Sequence, residues 1–154
     1  MKKLNAIFLL SALILASACE KDDDEPEAPL SIKTQMLVNP TWETTAFLLV
    51  EVESGEAVDA TEEMPCYQDN FLKFSKQGNY EMNEGSDVCE DEEQTSAGSW
   101  KFNTDETRIT FTDEEGPNEV EILELTEDEL IFAMDQLFTI DTLEFVPVFV
   151  FEAK

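Results

Sequence analysis

The chain has 154 residues and a formal net charge of −27, with 36 acidic against 9 basic residues and no histidine. A surface this acidic repels phosphates, which excludes a nucleic-acid partner held by a basic footprint, and the missing histidine removes the usual base of a nucleophilic triad. At 42% hydrophobic, with 11 Phe and 2 Trp, the chain still has enough apolar material for one small domain around a single core.

The chain opens with Met1-Lys2-Lys3, a short positive segment, and residues 6–18 then run without a charge and are rich in Leu, Ile, Phe and Ala. A membrane-spanning helix needs about 20 apolar residues; this run is shorter and suits the apolar core of a secretory signal. It ends in Leu15-Ala16-Ser17-Ala18-Cys19, which resembles the bacterial lipobox, with Ala16 at the position where Leu is usual. The resemblance implies removal of residues 1–18 and lipidation of the Cys19 thiol, and two or more acyl chains anchor a protein stably.

Glu20-Lys21-Asp22-Asp23-Asp24-Glu25 follows directly. Such a run has the composition of a solvated linker. Lys21, Asp22, Asp23 and Asp24 also resemble the acidic surface-export signal of some Gram-negative lipoproteins. With Pro26 and Pro29, residues 19–31 read as a lipidated acidic tether and residues 32–154 as the folded domain. The expected location is the outer membrane, facing the cell exterior, with Cys19 as the membrane link because the acidic surface repels anionic headgroups.

With Cys19 taken by lipid, Cys66 and Cys89 remain as an even pair in an oxidising compartment, which predicts one disulfide. A metal site would want more cysteine or some histidine, so no metal is expected.

The domain reads as strands separated by turn signals. Residues 41–52 are long, β-branched and aromatic, and Ser54-Gly55 ends them. Residues 56–68 form a polar connection. Residues 70–75 alternate, with Leu72 and Phe74 on one face, and Gln77-Gly78-Asn79 turns the chain into Tyr80-Glu81-Met82. Residues 83–93 are a second polar loop. Residues 98–102 put Trp100 and Phe102 on one face, and residues 108–112 alternate strictly, with Ile109 and Phe111 together. After a turn over residues 113–118 come strands at 120–125 and 130–134, then a last strand at 145–151 that is apolar on both faces. No segment keeps a long helical period, and residues 127–134 read as strand in preference to a short helix. About six to eight short strands predict an all-β, antiparallel up-and-down meander that curls into a barrel or sandwich, closure removing the free edges.

The order of certain residues is informative. Trp42 opens the first long strand, and Asp69-Asn70-Phe71-Leu72-Lys73-Phe74 follows Cys66. Gly78-Asn79-Tyr80 comes next, Gly98-Ser99-Trp100 follows Cys89, and Ile122-Leu123-Glu124-Leu125-Thr126-Glu127-Asp128-Glu129-Leu130 comes later. In this order they resemble the lipocalin-like domain of bacterial surface lipoproteins, over roughly residues 35–135. Asn39-Pro40 stand where that family often carries Gly. The resemblance implies a barrel of about eight strands, and fold more than activity.

The available chemistry narrows the function classes. There is no phosphate-cradling glycine loop, and no cofactor is expected. Carboxylate pairs can serve glycoside hydrolysis, but 36 acids make some pair inevitable, so no catalytic residue is assigned. Residues 90–93 and 113–115 are acidic clusters without the alternating spacing of a calcium loop, and read as solvated surface. Trp42, Trp100, Tyr80, Phe74, Phe102 and Phe111 either line a cavity or form the core, and core is the better reading for Trp42 and Trp100. Two classes remain: a module that binds a small apolar molecule or glycan in the barrel mouth, and a surface interaction module with a packed barrel.

Overall fold

A computed structural model of the chain describes residues 29–90 and 93–154. It contains one short helix, α1 (Ile32–Val38), and ten strands: β1 (Thr41–Glu51), β2 (Ala57–Asp59), β3 (Phe71–Phe74), β4 (Asn79–Asn83), β5 (Thr95–Phe102), β6 (Arg108–Thr112), β7 (Pro117–Leu125), β8 (Glu129–Met134), β9 (Phe138–Ile140) and β10 (Leu143–Ala153). All neighbouring strands pair antiparallel, in the order β2-β1-β3-β4-β5-β6-β7-β8-β10-β9, and β1 also pairs with β10. That last ladder closes β1, β3 to β8 and β10 into an eight-stranded meander barrel. In the β3–β4 hairpin Gly78 has φ +80°, where a side chain would be strained.

The barrel interior follows the two-residue alternation of its strands. Leu72 and Phe74 on β3, Tyr80 on β4, Trp100 on β5, Ile109 on β6, Val120 on β7, Leu130 and Phe132 on β8 and Phe151 on β10 join Trp42 in one buried cluster. On β1 the alternation breaks. A bulge between Thr44 and Ala46 shifts the register against β10, so Trp42 and Thr44 are buried below it and Phe47 above it. Such an extra residue bends its strand and increases the local twist; a second bulge, between Ile122 and Glu124, does the same in β7.

The sequence predicted no helix, and α1 is the main departure. It has two turns. Ser31 caps it by accepting from the Thr34 amide at 3.0 Å, and Asn39-Pro40 ends it, because proline does not continue a helix. Its stability is tertiary. Leu37 is fully buried in the core cluster, and the Trp42 indole Nε1 donates to the Leu37 carbonyl at 2.9 Å. The helix therefore plugs one end of the barrel.

The expected polar connection at residues 56–68 also contains regular structure, β2 and a short 3-10 turn over Pro65–Tyr67. β2 pairs with the upper half of β1 and β9 with the corresponding half of β10. Together β2, β1, β10 and β9 make a flap that overruns the barrel at the end opposite α1. Closure thus removes the edges of the barrel itself but leaves β2 and β9 as edges. Val58, Phe138, Ile140 and Leu143 on this flap are large, apolar and exposed.

Candidate functional site

The end of the barrel away from α1 is not filled. Its lumen holds a cavity of about 270 Å³, close to the lower end of the roughly 300–1,000 Å³ typical of small-molecule pockets. Leu72, Val120 and Phe132 are buried in its wall, whereas Asp113 and Asn118 are exposed at its rim, so it opens to solvent. A second depression, about 400 Å³, lies beside α1 between Ile32, Met36, Pro40 and Glu127. It is outside the barrel, and among the described residues none that lines it is a buried polar group.

The cavity wall is largely aromatic. Tyr80 and Phe111 meet edge to face with centroids 4.9 Å apart. Phe132 lies 5.7 Å from Phe149 and 5.2 Å from Phe151. Tyr67, from the turn after β2, stands edge-on to Phe149 at 5.8 Å and roofs this side. Gly98, opposite Tyr80 in the β4–β5 ladder, leaves the space that the Tyr80 ring occupies: a Cβ there would run into Tyr80 and the Thr112 carbonyl.

Across this apolar wall runs a polar row. Thr44 on β1, Asn70 just before β3 and Glu84 just after β4 all line the cavity, and all are buried. The Thr44 amide donates to the Asn70 carbonyl at 2.9 Å, and Phe71 pairs with Asn83, so the next step of the register sets Asn70 beside Glu84. Among the described residues, Asn70 Oδ1 and Glu84 Oε2 find no hydrogen-bond donor, nor does Asp69 Oδ1 outside the cavity lining. Buried polar atoms are rarely left so, and each orphan costs about 1–3 kcal/mol. On the other wall, the Tyr80 hydroxyl donates to Asp113 Oδ2 at 3.3 Å. Burial, reinforced by the Asp113 charge, raises the Tyr80 pKa above its ordinary value, so the phenol stays a neutral donor.

The loops over this end are tied together. A disulfide joins Cys66, before β3, to Cys89, before β5, across a Cα–Cα distance of 5.2 Å. Nearby, Asp69 Oδ2 accepts from the Ser86 hydroxyl at 2.6 Å and from its amide at 2.7 Å. These two bonds hold the Asp69 carboxyl below the usual carboxylate range, the hydroxyl contributing most. Gly85, at φ +66°, permits this close approach, since a Cβ there would overlap the Asp69 carbonyl.

The family pattern of the lipocalin-like domain matches residues 39–132, which takes in β1 to β7, the first part of β8 and most of the cavity wall. The chain belongs to the lipocalin-like domain family. No curated protein matches it significantly.

Within this lipocalin-like barrel, the aromatics singled out from sequence divide. Trp42, Phe74 and Trp100 are buried in the core cluster, the Trp100 indole donating to the Ser75 carbonyl at 3.2 Å. Phe102 packs against that cluster. Tyr80 and Phe111 both pack in the core and line the cavity. Cys19, Lys21, Asp22, Asp23 and Asp24 lie outside the described residues, as do Asp91 and Glu92 of the first acidic cluster. In the second cluster Asp113 caps its own turn, accepting from the Glu115 amide at 2.9 Å. Asn70, Glu84, Met82, Phe132 and Phe149 were not singled out. A signal existed for the first two: Asn70 sits two residues before Leu72, and Glu84 two after Met82, so both occupy inward positions of their strands.

Proposed function

We propose that this protein is a ligand-binding lipoprotein, lipid-anchored through Cys19 at the outer membrane and facing the cell exterior, whose barrel mouth holds a small, largely apolar molecule. The observation that carries the binding part is the open 270 Å³ lumen, walled by aromatic rings and crossed by a few buried polar groups, the composition expected of a site built to hold and orient a small molecule. The address is supported by the positive start, the short apolar run, the lipobox-like residues before Cys19 and the Lys21-Asp22-Asp23-Asp24 run.

Native mass spectrometry of the exported protein tests the binding part. The expected result is a mass above that of the lipidated, oxidised chain that disappears on denaturation; a bare mass, together with no uptake from an extract of the growth medium, contradicts it. Labelled palmitate incorporation that is lost in Cys19→Ser tests the anchor. Protease treatment of intact cells tests exposure, where full protection of the domain rules out the surface location.

A second reading, an interaction module, is favoured by the apolar flap. Val58 is 51% exposed, Phe138 46%, Ile140 49% and Leu143 43%, more clustered apolar surface than singly scattered residues present. It predicts a partner whose binding is lost in Phe138→Glu while the barrel ligand is kept.

A further inference from the structure

We propose that the ligand of the barrel carries a cationic, hydrogen-bond-donating nitrogen, as in an organic ammonium compound, seated against Glu84 and Asn70. This rests on the reading of the barrel mouth as a ligand site and names the chemistry of that site.

The first ground is hydrogen bonding. Glu84 is 4% exposed and Asn70 3%, both line the cavity, and Glu84 Oε2 and Asn70 Oδ1 lack a donor among the described residues. Both orphans are acceptors, so the missing partner is a donor. A ligand whose polar end only accepts hydrogen bonds leaves the two oxygens as they are.

The second ground is charge. Glu84 and Asp113 are the ionisable carboxyl groups on the cavity wall, and no lysine or arginine lines it among the described residues. The chain as a whole carries −27, which concentrates cations and repels anions at a concave mouth. Two of the chain's cations are committed elsewhere, Arg108 to Glu119, Glu121 and Asp135, and Lys154 to Glu43.

The third ground is the aromatic lining. Tyr80, Phe111, Phe132 and Phe149 present rings to the same space, and ring faces attract an ammonium while accepting its apolar body. A sugar hydroxyl also donates hydrogen bonds, but it leaves the negative charge of the wall unanswered. An ammonium head answers the orphan acceptors, the charge and the rings together.

The experiment uses three probes of one shape: 2-phenylethylammonium, 2-phenylethanol and phenylacetate. Each is titrated into the full exported chain in detergent and followed by ligand-observed NMR. The expected order has the ammonium tighter than the alcohol by about tenfold or more and phenylacetate the weakest. Glu84→Gln is expected to abolish the preference, bringing the ammonium down to the level of the alcohol. Asn70→Leu, which removes one of the two acceptors, is expected to narrow the preference. It serves as the independent variant if Glu84→Gln does not fold. Equal binding of ammonium and alcohol to the natural chain overturns the proposal while leaving the barrel as a ligand site. Binding by none of the three overturns the proposal and the reading beneath it.

Discussion

Replacing Cys66 and Cys89 together by serine opens the staple over the barrel mouth. The two residues are 23 apart in sequence. In the chain-entropy model a bridge of that span stabilises by about 3 kcal/mol at 25 °C, by restricting the unfolded chain. For a domain of this size about 4 °C of melting temperature corresponds to 1 kcal/mol, so the serine variant should melt about 12 °C lower. The barrel ladders do not pass through the bridge, so the fold should persist, with far-ultraviolet circular dichroism unchanged at low temperature. Thermal unfolding of the oxidised natural chain and of the variant, followed by circular dichroism, measures the difference. The loss should also be local: amides at the mouth, such as Glu84, which donates to Gln94, should exchange faster, while those of β6 and β7 change only with global stability. A variant that melts within about 3 °C of the natural chain, less than 1 kcal/mol on the same scale, refutes the reasoning. It would mean that the loops are already held by the Asp69–Ser86 contacts or that the reduced unfolded chain is itself restricted.

Other perturbations have equally defined outcomes. Trp42→Ala removes a fully buried indole and its bond to Leu37; it should cost about 3–5 kcal/mol in urea unfolding, and a loss under about 1 kcal/mol would show that α1 does not plug the barrel through this residue. Glu84→Leu should stabilise the empty protein by about 1–3 kcal/mol, because it removes a buried oxygen without a donor, while abolishing ligand uptake; a lower urea midpoint in the ligand-free protein contradicts this. Asp69 has a folded-state pKa below its unfolded value, so its contribution is present above about pH 4 and is lost as the pH falls through the depressed value. The stability gap between the natural chain and Asp69→Asn should therefore close in acid, and a gap that stays constant from pH 7 to about pH 3 shows that the carboxylate is not what Ser86 recognises.

The cavity and the orphan acceptors bear on each other. Neither the Glu84 carboxyl oxygen nor the Asn70 amide oxygen has a protein donor among the described residues, and apolar residues there would pack at lower cost in the empty barrel. Sites that bind commonly keep such locally unfavourable groups, and the stabilising substitution is the one that removes function. The Glu84 prediction and the ammonium ranking therefore test one idea from two sides, stability without ligand and selectivity with it.

The sequence by itself determined the class of fold and the pairing of the cysteines. Strict alternation in residues 108–112, the shared face of Leu72 and Phe74, and the turn at Gly78 are local signals, because a strand's side chains alternate whatever lies opposite. The cysteine pair needed only a count, with Cys19 expected to be taken by lipid. Tertiary structure alone decided the rest. The bulge after Thr44 moves Phe47 to the inner face, and one extra residue in one strand leaves no mark on composition. Helix α1 has too few turns to be stable by itself and forms because Leu37 and Trp42 bury each other. β2 and β9 have three residues each, too few for a pattern to mark them, and exist because β1 and β10 run past the barrel and offer open edges. Above all, the polar row at the mouth joins Thr44 within β1 to Asn70 and Glu84, which flank β3 and β4. Each alone is an ordinary polar residue; only the register between strands brings them to one level of the lumen and makes them a site.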